Sequence, residues 1–311
     1  MNISKMSLNF LTLLAFLSIS FGLYGQQRVF DVPLWQEGLP NSNGHDGGGY
    51  AMDDKNYKPA MRVFLPAKEK ATGRAIVCYP GGGYLQTSPE RYAQTWAPFY
   101  NELGIAFVAL HYRMPYANPE IPISDALEAF RQTRLHAKEW NINPEDIGLQ
   151  GVSAGGHLAS TIATQYQDTV KASFQILIYP VISFQEGYVH QGSRDNFIGK
   201  APAKGANDDA KLLADCSQEK QRYKALQQQY SNQMNVTSKT PKAFIAVSND
   251  DKLADNSVLY YLALHGNKVS AVLHVYSSGG HGWHINEKNR SKPFAHSALV
   301  EEELKEWLGN F

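Results

Sequence analysis

The sequence predicts a single α/β domain built on a doubly wound, mostly parallel sheet. Short apolar runs rich in β-branched and aromatic residues have the length of buried strands, and they lie at 61–65, 75–79, 104–110, 147–150, 174–180, 242–248 and 271–276. Segments that favour helices alternate with these runs, at 92–102, 125–140, 157–163, 256–266 and 294–308. Alternation of this kind favours parallel strands, because each connection between parallel neighbours needs a crossover helix.

The composition is that of a globular protein with one large core. The 311 residues are 43% hydrophobic and 19% charged, and 29 Lys and Arg balance 29 Asp and Glu. A net charge of zero gives no indication of a nucleic acid or an anionic membrane as partner. The two cysteines, Cys78 and Cys216, lie in no metal-binding motif, and no metal site is predicted. Whether these two cysteines pair stays open.

The first residues have the pattern of a secretory signal peptide, predicted at 1–25. Lys5 supplies the positive charge, and an apolar run at 10–19 is too short for a good membrane span. Small residues follow, so that cleavage after Gly22 or after Gly25 is expected. An uncleaved membrane anchor is the alternative. The signal predicts an exported protein, periplasmic or extracellular, with no membrane association after cleavage.

Residues 26–311 are predicted to form the single domain, with an irregular arm rich in Gly, Asn, Asp and Pro at 26–60. Residues 187–240 are polar and interrupt the alternation of strands and helices. Within this insertion, 208–229 is predicted to form a pair of helices. An insertion at this place would overhang the carboxyl end of the sheet as a cap, and the alternative is a surface decoration without a role in binding.

The segment Gly151-Val152-Ser153-Ala154-Gly155 has the G-x-S-x-G pattern of a nucleophile elbow. A strand-like run precedes it and a helix-like run follows, which is the context that this motif requires. Such a turn places the serine hydroxyl at the carboxyl end of a sheet, and small neighbours avoid collisions there. Ser153 is therefore the candidate nucleophile, and the N–H group of Ala154 is a candidate donor to an oxyanion.

A second motif, Tyr79-Pro80-Gly81-Gly82-Gly83-Tyr84, directly follows the apolar run at 75–78; residues 80–84 are called the glycine loop below. Backbone N–H groups without side chains can approach a ligand oxygen closely. Because the loop stands about seventy residues before Ser153, in an earlier βαβ unit, it favours an oxyanion site over an ordinary glycine turn.

The remaining members of a Ser-Asp-His set are expected after the last two strands. His281 lies in Ser277-Ser278-Gly279-Gly280-His281-Gly282-Trp283, the histidine loop, which has the right chain position for a base, with His284 as the fallback. The acid should follow the strand at 242–248, where Asp250 and Asp251 are both candidates.

Together, PGGGY, HYRMP at 111–115, GVSAGGHLAS and GGHG resemble the α/β-hydrolase superfamily over residues 60–311. The branch resembled is that of secreted carbohydrate esterases, which includes acetylxylan-esterase-like and feruloyl-esterase-like proteins. The resemblance implies a metal-free and cofactor-free serine esterase in which Ser153 is the nucleophile and His281 the base. Asp250 is preferred as the acid, since relatives place it three residues before an apolar residue, here Leu253.

The resemblance also implies three oxyanion donors, the N–H groups of Gly82, Gly83 and Ala154, with Gly81 as an alternative to Gly83. It implies structural roles for Tyr112, Arg113 and His157.

The expected substrate is an acylated plant carbohydrate, with acetyl esters of the acetylxylan type first. Tyr84 and Trp283 are candidate substrate-binding residues, with Tyr188 a third member of an aromatic sugar platform; the alternative is that they are core or surface aromatics. A feruloyl or general carboxylesterase, a serine exopeptidase and a non-catalytic carbohydrate-binding relative stay open as alternatives. The oligomeric state is not predicted.

Overall fold

A computed structural model describes residues 28–48, 57–202, 210–286 and 293–311. The strands in this part of the chain are β1 (Arg28–Pro33), β2 (Ala60–Leu65), β3 (Ala75–Tyr79), β4 (Ala106–His111), β5 (Ile147–Val152), β6 (Phe174–Ile178), β7 (Lys242–Ser248) and β8 (Ala271–Tyr276). They form one sheet in the order β1-β2-β4-β3-β5-β6-β7-β8. Pairing is parallel from β4 through β8 and antiparallel at the β1-β2 and β2-β4 contacts, which confirms the mostly parallel sheet.

The helices are α1 (Pro89–Glu102), α2 (Glu120–Leu135), α3 (Ala137–Trp140), α4 (Ala154–Gln165), α5 (Gln167–Val170), α6 (Gln191–Ile198), α7 (Ala210–Gln229), α8 (Ala254–Gly266) and α9 (Ser297–Gly309). One face of the sheet packs on α2, α4 and α8, and the other on α1 and α9. The core therefore lies in two apolar layers with the sheet between them, as a doubly wound sheet requires.

Two local expectations are wrong. The arm at 26–60 contains a regular strand, β1, which runs along the exposed edge of β2. Main-chain pairing forms this strand, and its mostly exposed side chains leave little hydrophobic signal. The pair of helices predicted at 208–229 is wrong for the described part, because 210–229 holds neither glycine nor proline and forms the single helix α7. Among the described residues of the insertion, a second α-helix, α6, comes earlier than expected.

The predictions of a signal, a metal-free chain and two cysteines can be compared with the described residues only in part. The signal predicted at 1–25 lies outside the described residues. In the described part, no helix is long and apolar enough to cross a membrane, and no group of three or more His, Cys, Asp or Glu side chains is placed to hold a metal. Cys78 carries a free thiol, fully buried in β3, and burial raises the pKa of this thiol well above its usual value. The side chain of Cys216 lies outside the described set.

A fully buried ion pair holds the N-terminal arm against the sheet. Arg113, in the loop after β4, donates from Nε and Nη2 to the two carboxylate oxygens of Asp125 at 2.9 and 2.7 Å. The same carboxylate accepts the indole N–H of Trp35 at 2.8 Å, and the guanidinium also donates to the carbonyl of Asn41 at 2.7 Å. Every charge in this pair has a partner, so the pair joins the arm, the loop after β4 and α2.

Asp125→Ala should lower the free energy of unfolding by about 3–5 kcal/mol, because it removes the buried counter-ion of the Arg113 guanidinium and leaves only the longer contact with Asp46 at 3.4 Å. Chemical denaturation followed by fluorescence measures this loss. The matched control is Asp168→Ala, which breaks the pair with Lys239 whose side chains are 80% and 67% exposed, and it should leave the midpoint nearly unchanged. Equal midpoints for the two variants would contradict the role of the pair.

Stability should also fall on mild acidification, because two imidazoles are buried in their neutral form. Burial lowers the pKa of His111 and of His157 from 6.5 to about 4. As the pH falls, protons therefore bind the unfolded chain before the folded one. The stability that these two rings contribute is complete above pH 6.5 and is lost as the pH falls towards 4, by on the order of 1 kcal/mol per pH unit for each ring. His111→Phe keeps a ring stacked on Tyr57 and should reduce the slope of unfolding free energy against pH. Equal slopes of unfolding free energy against pH in the variant and the wild type would contradict this prediction.

Candidate active site

The turn between β5 and α4 places Ser153 in a strained conformation, with φ 54° and ψ −121°. Glycines make this turn sterically accessible. A Cβ atom on Gly155 would lie 1.9 Å from the carbonyl oxygen of Tyr79, and one on Gly151 would lie 2.3 Å from the carbonyl oxygen of Gly155. The elbow thus depends on a close approach between the start of α4 and the end of β3 that only glycine permits.

Ser153 and His281 lie in contact. The histidine loop follows β8 at the same edge of the sheet, and it brings Nε2 of His281 within 2.8 Å of the Ser153 hydroxyl oxygen. The imidazole side chain is 40% exposed, so a molecule from solvent can reach this pair. The sequence expectation that these two residues meet is therefore matched by the geometry, and their catalytic roles remain a proposal.

The carboxylate that contacts His281 is that of Asp251. Its Oδ2 lies 2.8 Å from Nδ1 of the ring, and its Oδ1 accepts the backbone N–H of Leu253 at 2.8 Å. The Asp251 side chain is only 1% exposed, so its position is fixed by packing as well as by these bonds. An Nδ1–H donated to the carboxylate leaves the Nε2 lone pair directed at the serine hydroxyl, which is the tautomer that a base needs.

The preference for Asp250 as the partner of His281 is wrong in this structure. The backbone N–H of Asp251 donates to the Ser248 carbonyl in a tight turn, and Asp250 stands at the exposed tip of that turn. Asp250 instead accepts the N–H groups of Gly280 at 2.8 Å and Gly279 at 3.3 Å. The bond from Gly280 lowers the pKa of the Asp250 carboxyl, which therefore braces the histidine loop as an anion.

Tyr179, which the sequence analysis did not identify, packs against the ring of His281. Its ring packs edge-on against His281 with centroids 4.7 Å apart, and its hydroxyl donates to the Trp283 carbonyl at 2.5 Å. Tyr179 is buried and has a φ of 35°, a conformation that is uncommon for a residue with a side chain. It comes at the end of β6 as part of an apolar run, so the sequence offers no signal beyond burial.

The glycine loop lies directly against the elbow. A Cβ atom on Gly81 would lie 3.0 Å from Cβ of Ser153, so the backbone of the loop touches the candidate nucleophile. The N–H of Gly81 donates to the Tyr92 hydroxyl at 2.7 Å, so the alternative that Gly81 replaces Gly83 as a donor does not fit the structure. Gly82 and Gly83 have φ values of 140° and 65°, which glycine adopts without strain.

Three backbone N–H groups, two in the glycine loop and one directly after Ser153, are available to a ligand. Within the described residues, the N–H groups of Gly82, Gly83 and Ala154 donate to no protein acceptor. Ala154 is the first residue of α4, where the helix dipole also favours negative charge. A hydroxyl made nucleophilic by an imidazole, next to donors for a developing oxyanion, can attack a carbonyl carbon.

The two aromatic residues predicted to bind substrate do not line a surface. Tyr84 is 2% exposed, and its hydroxyl is bonded to Nδ1 of His157 at 2.9 Å. Trp283 is fully buried and stacks on Phe294 with ring centroids 4.1 Å apart. Both predictions are wrong for the same reason: these rings complete the apolar layers next to the loops that carry them.

Two further candidates lie in different environments. His284, the fallback base, is 2% exposed and accepts the indole N–H of Trp96 at 3.2 Å, so it belongs to the core beside α1. Tyr188 is 41% exposed at the start of the insertion, where a surface role remains open to it. His157 is fully buried in α4, in agreement with the structural role expected for it.

Comparisons with known proteins agree with this architecture. A family model described as the alpha/beta hydrolase fold matches residues 76–285, which is more than half of the chain. An acetylxylan esterase from Xylanibacter ruminicola is 40% identical over 230 residues, covering 73% of this chain and 44% of that protein. An endo-1,4-beta-xylanase B from Butyrivibrio fibrisolvens is 26% identical over 271 residues, 82% of this chain and 38% of its own length. The chain thus spans less than half the length of these two relatives.

A solved structure is similar over nearly its whole length. The acetyl ester-xyloside bifunctional hydrolase from Caldicellulosiruptor lactoaceticus superposes with a TM-score of 0.66 at 27% identity, covering 92% of this chain and 96% of that one. The strand order, the elbow, the glycine loop and the matched family model lead to one conclusion. The chain belongs to the alpha/beta hydrolase family.

Proposed function

We propose that this protein is a serine ester hydrolase that removes acetyl groups from carbohydrates. The observation that carries the proposal is the chain of hydrogen bonds from Asp251 to His281 and from His281 to Ser153. The glycine loop, whose Gly82 and Gly83 N–H groups have no protein acceptor among the described residues, packs against the same turn. The names of the relatives support the substrate class, since one is an acetylxylan esterase and another an acetyl ester-xyloside hydrolase. The predicted signal at 1–25 agrees with a polymeric substrate outside the cytoplasm, and export remains part of the proposal.

In the first half of the reaction, Nε2 of His281 takes the proton of the Ser153 hydroxyl as its oxygen attacks the ester carbonyl carbon. The carbonyl oxygen becomes an oxyanion that accepts hydrogen bonds from Gly82, Gly83 and Ala154. The tetrahedral intermediate then collapses, the bond to the sugar oxygen breaks, and the imidazolium returns its proton to that oxygen. The products of this half are the free sugar hydroxyl and an acetyl ester on Ser153.

In the second half, water takes the place of the sugar hydroxyl. His281 removes a proton from the water as it attacks the acetyl carbonyl, and the same donors receive the second oxyanion. Collapse breaks the bond to Ser153, whose oxygen recovers the proton, and acetic acid leaves and ionises. Asp251 remains a carboxylate throughout and stabilises the imidazolium that forms in each half.

The two neighbouring aspartates allow a matched test of the acid. Asp251→Asn should lower kcat by about 10⁴-fold, because an amide N–H facing Nδ1 favours the wrong tautomer of His281. Asp250→Asn keeps an oxygen that can accept the N–H of Gly280, so its kcat should stay within about threefold of the wild type. Steady-state hydrolysis of p-nitrophenyl acetate measures both, with Ser153→Ala as the blank. Equal losses in the two variants would contradict the assignment.

An acyl-length series tests the substrate class. Acetyl, butyryl and feruloyl esters and acetylated xylan are offered to the wild type and to Ser153→Ala, and product release is quantified by chromatography. We expect acetyl esters to give the highest kcat/KM and release of acetate from xylan that is absent in the variant. A preference for feruloyl or longer acyl groups would retain the esterase mechanism and reject the acetyl carbohydrate substrate. Binding of xylan oligosaccharides without hydrolysis of any ester would reject the enzyme.

A further inference from the structure

The insertion contributes a short helix to the site. This helix, α6, begins directly after His190, a half-buried residue whose pKa is lowered by burial. The ring of His190 caps the helix, since its Nδ1 accepts the N–H of Ser193 at 3.2 Å. The last turn of α6 reaches the glycine loop, where Nδ2 of Asn196 donates to the Gly83 carbonyl at 2.9 Å. The last turn of α6 therefore contacts the glycine loop directly.

The core holds the glycine loop at three other positions. Tyr112 donates its hydroxyl proton to the Pro80 carbonyl at 2.8 Å, and the Gly81 N–H is held by Tyr92. The Tyr84 hydroxyl is bonded to His157. Between these positions, the carbonyl of Gly82 accepts N–H groups from within the turn that follows. The Gly83 carbonyl is the one held by the insertion.

A second contact from α6 lies next to the first. Phe197 is fully buried, and its ring packs on Tyr84 with centroids 4.5 Å apart and on His157 at 5.0 Å. Ala117 holds the same turn of the helix, since its N–H donates to the Asn196 carbonyl at 2.8 Å. Asn196 is thus presented to the loop by an anchored helix end, which makes its side-chain bond a fixed constraint on the loop.

We propose that Asn196 is a positioning residue for the oxyanion site, an inference that rests on the proposed esterase function. Gly83 has no side chain, so its peptide groups rotate at little steric cost. Rotation of the Gly83–Tyr84 peptide would turn the Gly83 carbonyl oxygen towards the developing oxyanion, where two negative oxygens repel each other. The Gly83 N–H belongs to the preceding peptide, whose Gly82 carbonyl is already held by the turn. The hydrogen bond from Asn196 to the Gly83 carbonyl fixes the ψ angle of Gly83 and so prevents that rotation. The polar insertion therefore acts on transition-state stabilisation through one amide.

The test compares Asn196→Ala, which removes the donor, with Asn196→Asp, which keeps the size but presents a carboxylate to the carbonyl. Both should lower kcat for p-nitrophenyl acetate by about tenfold or more, with KM within about twofold, since deleting a whole oxyanion donor costs about 100-fold or more. The inhibition constant of a boronic acid, which forms a tetrahedral anion on the serine, should rise by the same factor as kcat/KM falls.

The matched control is Asn235→Ala. The Asn235 amide also donates to a backbone carbonyl of the insertion, that of Gln229 at 2.7 Å, but it does so away from the glycine loop. This variant should keep wild-type kcat and boronate inhibition. Thermal unfolding of each variant checks that the fold is intact, and Asn196→Asp serves if the alanine variant does not fold.

The outcomes separate this inference from the function on which it rests. A wild type that hydrolyses no ester rejects the esterase proposal itself. An active wild type whose Asn196 variants keep kcat and boronate affinity rejects the positioning role alone. Loss of kcat in Asn196→Ala together with a lower melting temperature and an unchanged boronate constant would show a merely structural residue, and it too rejects the role.

Discussion

The site depends on one steric constraint, the approach of the first turn of α4 to the end of β3. Backbone atoms meet there at a distance that leaves no room for a Cβ on Gly155. The neighbouring strand then fixes the elbow: the Ser153 N–H donates to the Ile178 carbonyl at 3.0 Å, and the Ser153 carbonyl accepts the Val181 N–H at 2.9 Å. Backbone strain of this kind costs about 1–3 kcal/mol and persists only where the surroundings enforce it. Because the same turn starts α4, one constraint sets both the hydroxyl of Ser153 and the N–H of Ala154.

Behind the site, a buried polar chain joins three parts of the fold that must keep their relative positions. With its pKa lowered to about 4, His157 is neutral and has one donor and one acceptor nitrogen. The Tyr230 carbonyl can only accept, so Nε2 donates to it at 2.8 Å, and Nδ1 therefore accepts the hydroxyl proton of Tyr84. This tautomer links the glycine loop, α4 and the end of α7. The structural role of His157 is therefore to join the insertion to the glycine loop through its two hydrogen bonds.

The sequence could predict those parts of the site that depend on a short stretch of neighbouring residues. A sharp turn and a side-chain-free loop demand glycines at set positions, so Ser153 and the glycine loop were identifiable, as was His281 between its glycines. The acid was not identifiable in this way, because Asp250 and Asp251 both follow β7. Which of them contacts His281 is decided by a turn and by the N–H groups of a loop distant in sequence. The aromatic residues failed for a similar reason, since burial of a ring depends on tertiary packing that no motif records. The mostly parallel sheet was predictable because strands and helices alternate over much of the chain, whereas the order of the strands was not predicted.

The polar composition of the insertion suggested a segment that faces solvent, but part of it is used inside the protein. Asn232 is fully buried against α4, and its amide donates to the carbonyl of His157 and to the hydroxyls of Ser160 and Thr161 at 2.8 to 3.0 Å. A buried amide left without its partners costs about 1–3 kcal/mol, so displacement of this segment from its register is disfavoured. Hydrogen bonds also specify position more narrowly than apolar contact, which tolerates sliding. The insertion is therefore packed on α4 in one register, and that register allows Asn196 to reach the carbonyl of Gly83.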